Sequence, residues 1–305
     1  MGEDPDIFDR ALLRRRRNRT AAGLNQHDFL IAGVAKDLLE RLTIVRRRFP
    51  VVVDLGAHHG LLGAQLRSLV GVEMVIAVEP VEGLIRQCRG LRVQADAEAL
   101  PFRSQSLDLV VSALALQLVN DLPGTLAQVR QALRPDGLLL AAMLAGNTLH
   151  ELRTALYLAE EEVEGGASPR VAPFADIRQL GSLLVRAGFT LPVADTQTLT
   201  VTYPNALALM RELRATGVAN NLRARRRKPL RRETLARALQ HYAERFGLPG
   251  GRVPATFEIV TLTGWAPHHT QQQPLRPGSA TARLAEVLAP AAAPTGRAGP
   301  DETAA

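Results

Sequence analysis

The 305-residue chain holds 37 lysine and arginine residues against 30 acidic residues, which gives a formal net charge of +7. Its single cysteine, Cys88, excludes an internal disulfide and a cysteine-based zinc site, and favours a reducing compartment. No apolar run approaches the roughly 18 residues of a membrane-spanning helix, and the acidic start resembles no signal or transit peptide. These features predict a cytoplasmic protein without a transmembrane segment, and they leave peripheral contact with a membrane open.

Arginine is concentrated in runs at 14–17, 46–48 and 223–232. Such runs suit nucleic acid, an anionic membrane surface or an acidic protein, and a solvated surface is the plain alternative. No aromatic-rich segment for base stacking accompanies them, which makes nucleic acid the least favoured partner.

Patterns typical of strands and helices alternate along the chain from Val51 onward, after two basic helices expected at about 7–17 and 28–48. This alternation predicts an α/β fold with a parallel sheet, helices on both faces and right-handed crossovers. The predicted strands lie at 51–55, 74–79, 91–95, 107–112, 138–143, 198–203 and 256–265. The predicted helices lie at 60–70, 81–89, 123–133, 148–163 and 174–187, with a turn at 134–137.

The composition divides the chain into three parts. Residues 1–48 form an N-terminal helical segment, 49–267 the sheet domain, and 268–305 a tail rich in proline and alanine that we expect to be disordered. Residues 205–246 have a helical pattern and interrupt the pairing of the last two strands. We expect this insertion to form part of a lid over the crevice of the sheet.

The segment from Val51 to Gly60 has the pattern of a buried strand, a glycine turn and a helix start. Three β-branched residues suit a strand that is buried on both faces. Asp54, Gly56 and Gly60 lead into the helix, where backbone N–H groups and the helix dipole favour a polar ligand. In open α/β sheets this crevice holds nucleotide-like ligands.

A second acidic residue, Glu79, ends the next predicted strand 23 positions after Gly56. A spacing of roughly 20 residues is typical of an acid that binds ribose hydroxyls. The two segments together predict a nucleoside-cofactor site. Asp54 would orient the loop or an ammonium group of the cofactor, and helix capping is its plain alternative.

Five segments, taken in order, resemble the motifs of the class I S-adenosylmethionine-dependent methyltransferases. They are 54–56, Glu79, 95–102, 107–112 and 134–137. The resemblance implies a Rossmann-like, seven-stranded sheet with an antiparallel last strand in a terminal hairpin, and S-adenosyl-L-methionine as the cofactor. It also implies that Asp96 and the backbone of Ala97 read the adenine edge. Leu84 and Leu114 are candidates for an apolar wall around the adenine or the reaction chamber, with plain core as the alternative.

A closer resemblance, to the complex I assembly-factor family, covers nearly the whole chain from Asp6 to Trp265. The segments that show it are 7–10, 119–123, 148–153, 164–174 and 253–257. That family has a methyltransferase-like fold and is associated with hydroxylating an arginine on a peripheral-arm subunit of NADH:ubiquinone oxidoreductase. A protein substrate of that kind is therefore implied. More distantly, the chain resembles the malonyl-carrier-protein methyltransferase of biotin synthesis.

Two positions depart from the pattern of the family. His58 stands where the family usually has glycine, so its ring must turn away or crowd the methionine portion of the cofactor. Residues 116–119 stand where relatives tend to have a His-Trp pair. His58 and His59 are adjacent and do not form a metal-binding pair at helical spacing, so we expect a loop-surface role for both.

The sequence contains no pattern that identifies a metal site or a catalytic base. The His-x-Asp and His-x-Glu pairs that are common in iron oxygenases do not occur among the seven histidines. Residues 112–115 also lack the Asn-Pro-Pro-Tyr-type motif that positions a nitrogen in amino-group methyltransferases. The oligomeric state is left open as well.

Three functions follow from these observations. The first is an S-adenosyl-L-methionine-binding enzyme or assembly factor that modifies an arginine of a complex I subunit. The second is a conventional methyltransferase that acts on a small molecule or a carrier-bound acyl group. The third is a non-catalytic assembly chaperone with a degenerate cofactor site, for which His58 is the motive.

Overall fold

The computed structural model describes residues 6–272, and it contains the sheet that the strand–helix alternation predicts. The strands are β1 Val51–Leu55, β2 Met74–Val78, β3 Leu91–Val93, β4 Leu107–Ala113, β5 Leu133–Leu144, β6 Thr190–Tyr203 and β7 Val253–Trp265. They lie in the order β3-β2-β1-β4-β5-β7-β6. The pairs among β1 to β5 are parallel, and β7 is antiparallel to β5 and β6. The predicted seven-stranded Rossmann-like sheet with an antiparallel hairpin is therefore confirmed.

The helices of the described residues surround this sheet. They are α1 Arg10–Thr20, α2 Phe29–Ile44, α3 Leu61–Leu66, α4 Glu82–Ile85, α5 Leu122–Ala132, α6 His150–Glu164, α7 Ile177–Arg186, α8 Ala206–Ala215 and α9 Arg232–Phe246. α1 begins later than predicted because Asp9 caps it, accepting a hydrogen bond from the Leu12 N–H at 3.0 Å. α2 ends earlier than predicted, since the backbone becomes extended at Val45.

Two strands also differ from their predicted bounds. β6 begins at Thr190, eight residues before the predicted start, and it pairs with β7 along most of its length. The predicted turn at 134–137 lies inside β5, where the register against β4 shifts between Leu133 and Leu138. The extra residues form a bulge there, because the polar segment leaves the ladder and the apolar strand then resumes it.

The core has an aliphatic layer on each face of the sheet. α2 and α3 pack on one face through residues such as Leu38 and Leu66, and α5 and α7 pack on the other through residues such as Leu126 and Leu180. A third cluster joins α6, α8 and α9 to the ends of β6 and β7. Burying these side chains is the main source of stability, at roughly 25 cal/mol per Å² of apolar surface.

The expected insertion at 205–246 is only partly helical, because residues 216–231 between α8 and α9 are not helical. α9 packs on α6, and Tyr242 is fully buried there. Its hydroxyl donates a hydrogen bond to the Pro254 carbonyl at 2.7 Å. The insertion is thereby joined to β7 as well as to α6.

Two further expectations concern the ends of the chain. Of the described residues, those from Asp6 to His268 belong to one compact unit. The expected disorder at 268–305 lies outside the described residues from 273 onward. Within 6–272, none of the helices combines the length and the apolar character needed to cross a bilayer.

Candidate functional site

The carboxyl ends of β1 and β2 border a crevice of about 470 Å³. Small residues line part of it, namely Gly56, Pro80, Ala95, Ala97 and Ala115. Gly56 has a φ of 73°, and a side chain there would begin 2.1 Å from the Cβ atom of Ala115. Glycine is needed because the loop after β4 packs directly on this position. Of the predicted site residues, Gly56 and Ala97 line the crevice.

Gly60 serves the start of α3 instead. It occupies the N-cap position with a φ of 89°, in the left-handed region that favours glycine. A side chain there would begin 2.9 Å from the Cα atom of Cys88. Gly60 is therefore required for the turn and for close packing, and it is not among the residues that line the crevice.

Helix α1 covers the crevice with three arginines on one face. Arg10, Arg14 and Arg17 recur at helical spacing, and all three line the crevice. Arg10 contacts the Asp96 carboxylate at 2.7 Å, and Arg14 lies 3.9 Å from the same group. Arg17 contacts Glu79 at 3.1 Å. The two acids predicted to bind ribose and adenine therefore both face α1.

Glu79 is fully buried, and its carboxylate is hydrogen-bonded within the chain. The guanidinium of Arg17 donates to both oxygens, at 3.1 and 3.2 Å. The backbone N–H groups of His58 and Val81 donate to them as well, each at 3.1 Å. A bidentate arginine and two N–H donors offset the cost of burying this charge.

His58 is buried with its ring turned inward, which corrects the expected loop-surface position. Its backbone adopts a φ of 51°, and its ring bridges the Ala113 carbonyl and the Arg17 guanidinium, each at 2.8 Å. A guanidinium only donates, so Nδ1 accepts and the proton lies on Nε2. Burial and the charge of Arg17 lower the pKa of His58 to about 3, so the ring is neutral. The ring is held inside because Arg17 and the carbonyl both need a buried partner.

His59 also departs from the expected surface role. Its side chain is only 12% exposed, and its Nε2 atom lies 3.0 Å from the Asp28 carboxylate. Across residues 6–272, no group of three histidine, cysteine, aspartate or glutamate side chains is placed to hold a metal ion.

Asp54 is buried beneath α3 and does not line the crevice. Neither carboxylate oxygen has a hydrogen bond of normal geometry. Burial raises the pKa of Asp54 to about 7, the charge of Glu79 adds to the rise, and the backbone N–H of Gly63 opposes it in part. Because Gly63 belongs to the first turn of α3, this placement favours a role at the helix start. Contact between Asp54 and a cofactor stays a prediction.

A larger chamber of about 1140 Å³ lies beside the crevice. Arg17 and Leu118 line both cavities, and His58 lines the chamber, so these side chains separate the two spaces. Leu114, the predicted apolar wall, is buried and lines the chamber. Its φ of 53° is unusual for leucine, and such strain is most often kept at functional sites. Leu84, the other candidate, is buried in a small core cluster with Val81.

The wall of this chamber is mostly apolar, but polar and charged residues line it as well, including Arg17 and Arg170. The hydroxyl of Tyr203, Oε1 of Gln117 and Nδ2 of Asn221 line it without a hydrogen-bond partner. Glu212 lines it too, and its carboxylate lies 2.9 Å from His27. Burial and the charge of Glu212 raise the pKa of Tyr203 to about 12, so the hydroxyl is neutral. Unpartnered polar atoms in an apolar cavity are typical of a ligand site.

The sequence did not single out these chamber residues. Tyr203 ends a predicted strand and Glu212 lies in the predicted insertion, but no spacing marks either of them as functional. The insertion itself lines the chamber through residues such as Glu212 and Asn221, whereas the expected cover of the crevice is supplied by α1.

Known proteins share this architecture. Residues 53–141 match the family model described as a methyltransferase domain. The YcgJ protein from Bacillus subtilis has a similar fold, with a TM-score of 0.54 at 13% identity over 76% of this chain and 98% of that chain. At this identity, the likeness supports the fold alone.

Two curated relatives align over most of their length. Arginine-hydroxylase NDUFAF5, mitochondrial, from Danio rerio is 36% identical over 92% of this chain and 89% of the relative. Malonyl-[acyl-carrier protein] O-methyltransferase from Gallionella capsiferriformans is 32% identical over 86% of this chain and 92% of the relative. The similarity therefore extends well beyond the matched methyltransferase domain.

The crevice residues fit an adenosine-bearing cofactor, on one condition. Small side chains leave space along the crevice, and Glu79 accepts two N–H bonds from Arg17 where a ribose diol would place two hydroxyl donors. Binding of a ribose by Glu79 stays a prediction, and it requires Arg17 to leave the carboxylate first, because the guanidinium holds both of its oxygens. The match to the methyltransferase domain and these two relatives show that the chain belongs to the family of methyltransferase-like enzymes that includes NDUFAF5, with S-adenosyl-L-methionine as its cofactor.

Proposed function

We propose that this protein modifies an arginine side chain on a peripheral-arm subunit of respiratory complex I, and so assists assembly of that complex. A relative named as an arginine hydroxylase, 36% identical over nearly the whole chain, supports the reaction class. The single cysteine and the apolar pattern favour the cytoplasm as the compartment. The groups that line the chamber support an arginine side chain as the substrate.

The proposal depends on the position of Glu212 in the chamber. It is the one carboxylate among the described residues that line the chamber, and His27 holds it through a contact of 2.9 Å. A carboxylate beside apolar walls suits arginine, because the aliphatic stem packs on the walls while the guanidinium forms charge-assisted hydrogen bonds. Tyr203 and Gln117 offer two further oxygen acceptors without partners.

Peptide mass spectrometry of the peripheral-arm subunits tests the proposal, in cells with and without this gene. We expect one added oxygen on an arginine in the presence of the gene and none in its absence. An added methyl group would identify methylation as the modification, and unchanged peptides would contradict the proposal. The variant Glu212→Gln should lose the modification, whereas the exposed control Glu73→Gln should retain it.

A conventional methyltransferase is the second candidate. The mostly apolar wall of the chamber and the relative named as a malonyl-[acyl-carrier protein] O-methyltransferase favour it. When bound, the cofactor supplies an electrophilic methyl group, so this chain's residues need only to position the acceptor. Transfer of a labelled methyl group to a carrier-bound acyl thioester, with unmodified arginine peptides in cells, would establish this alternative.

The non-catalytic chaperone is the third hypothesis. Both relatives are named as enzymes, which disfavours it. Calorimetry with S-adenosyl-L-methionine and its demethylated product tests it directly, because an absence of binding at millimolar ligand would support the chaperone.

A further inference from the structure

A strongly basic cleft of about 740 Å³ lies next to the chamber. Its lining consists of Arg16, Arg19, Thr20, Arg214, Gly217 and Ala219. None of these described lining residues is acidic. Ala219 also lines the chamber, so the cleft and the chamber share a wall.

The three arginines of the cleft differ in what holds them. Arg16 is fixed, since it donates hydrogen bonds to the carbonyls of Ala219 and Asn220 at 2.9 and 2.6 Å. Arg19 and Arg214 are exposed, and neither has a carboxylate partner within 6–272. Burial and the positive charges of neighbouring arginines lower the pKa of Arg16. Positive charge is therefore crowded here without a neutralising acid.

The arginine run of the insertion differs from the cleft arginines because two of its members form ion pairs with acidic residues. Arg225 contacts Asp9 at 3.1 Å, and Arg226 contacts Glu164. These pairs join the insertion to the start of α1 and the end of α6, so this part of the run is structural. The cleft arginines Arg19 and Arg214 are left facing solvent.

We propose that the basic cleft binds an acidic segment of the protein substrate whose side chain enters the adjacent chamber. The assignment of the chamber to a protein substrate rests on the proposed function. Guanidinium groups bind carboxylates in a bidentate manner, and unpaired charge around a cleft attracts an acidic partner from a distance. The wall that the cleft shares with the chamber at Ala219 favours a peptide, because a segment bound in the cleft would lie next to a side chain in the chamber.

Fluorescence anisotropy with a labelled decaglutamate peptide tests the cleft in the full-length protein. The double variant Arg19→Glu/Arg214→Glu should bind the peptide at least about tenfold more weakly than the wild type. The control Arg103→Glu/Arg186→Glu changes two exposed arginines outside the cleft and alters the net charge equally. It should bind within about twofold of the wild type, because salt screens distant charges. Melting temperatures verify that both variants fold.

Three outcomes would overturn the proposal. An equal loss in both double variants would reveal general charge attraction, and displacement of the peptide by micromolar inorganic phosphate would reveal a phosphate site. Anionic phosphatidylglycerol vesicles are the third probe. If they bind the cleft variant more weakly than the wild type, while the peptide binds both equally well, the cleft is a membrane contact. Peptide binding needs neither cofactor nor turnover, so unmodified arginine peptides with intact cleft binding would refute the proposed function alone.

Discussion

Arg17 is the residue at which the crevice and the chamber meet. It lines both cavities, pairs with the buried Glu79 and donates to the ring of His58. The predicted ribose acceptor is therefore satisfied by the protein itself. A cofactor that binds through Glu79 has to compete with this guanidinium, so we expect Arg17 to lower the affinity of the crevice for a ribose.

Replacing Arg17 by methionine should strengthen binding of S-adenosylhomocysteine by about tenfold, because the oxygens of Glu79 become free to accept. The same change should lower stability by ~3–5 kcal/mol, since it leaves a buried carboxylate unpaired. Calorimetry and thermal unfolding measure the two effects. The double variant Arg17→Met/Glu79→Gln should recover stability without the gain in affinity. Weaker binding by Arg17→Met than by the wild type would contradict competition for Glu79.

The buried Asp54 should give the protein a distinct dependence on pH. Its pKa is about 7 in the folded state against 3.8 for an ordinary aspartate, so the folded chain binds more protons between these values. The free energy of unfolding should therefore fall as pH rises from about 4 to 7. Asp54→Asn cannot ionise, and it should flatten this decline and be the more stable form above pH 7. Urea unfolding at several pH values measures it, with exposed Glu73→Gln as the control, and an unchanged decline would contradict it.

Acids and glycines at the strand ends could be identified from the sequence because the strand–turn–helix pattern is local. The partners of those acids could not be identified from the sequence. Arg17 lies 62 residues before Glu79, and nothing in an arginine run distinguishes the buried guanidinium from its exposed neighbours. His58 was misplaced for the same reason, since its contacts with Ala113 and Arg17 form only in the folded chain.

At the scale of elements, α1 is held over the crevice from its start. The Phe8 N–H donates to Asn120 at 2.8 Å, and the Asp9 N–H donates to the Asn221 carbonyl at 2.8 Å. Asp9 also contacts Arg225. The position of the cover thus depends on the insertion and on the loop before α5.

Removing the cap of α1 should loosen this cover. Asp9→Ala loses both the acceptor for the Leu12 N–H and the contact with Arg225, and we expect a loss of about 0.5–2 kcal/mol. Asp9→Asn keeps a capping oxygen and should lose less, because a partly exposed ion pair contributes little. Chemical denaturation measures the stability, and hydrogen exchange should rise in α1 more than in α5. Equal losses in both variants would show that the ion pair, rather than the cap, holds α1.

Element bounds were predicted well where packing and local signals agree. β1 matches its predicted bounds because its apolar run ends at the glycine turn. β6 was predicted too short, since its first half is an exposed edge with Pro192 and Asp195, and the partner that extends it lies far along the chain. Pairing with a distant strand overrides weak local propensity.

The molecule as a whole places two cavities of different chemistry on either side of one polar wall. The crevice is lined by small residues and by the three arginines of α1, whereas the chamber is mostly apolar, with a few unpartnered polar atoms. The fold, and with it the crevice, follows from alternating apolar runs that are visible in the sequence. The chamber draws on α2, β6, α8 and the segment after α8, so its composition depends on tertiary contacts between distant segments.

Ligand binding in the two cavities should be coupled through this wall. A group in the chamber and a cofactor in the crevice can meet only when the Arg17–His58 contact at 2.8 Å opens. The first ligand bears the cost of opening, so the second should bind more tightly, by roughly tenfold, and the effect should be reciprocal. Titrating N-acetyl-arginine methylamide with and without S-adenosylhomocysteine measures the coupling. Arg17→Met should bind the two ligands independently, and independent binding in the wild type would contradict a shared wall.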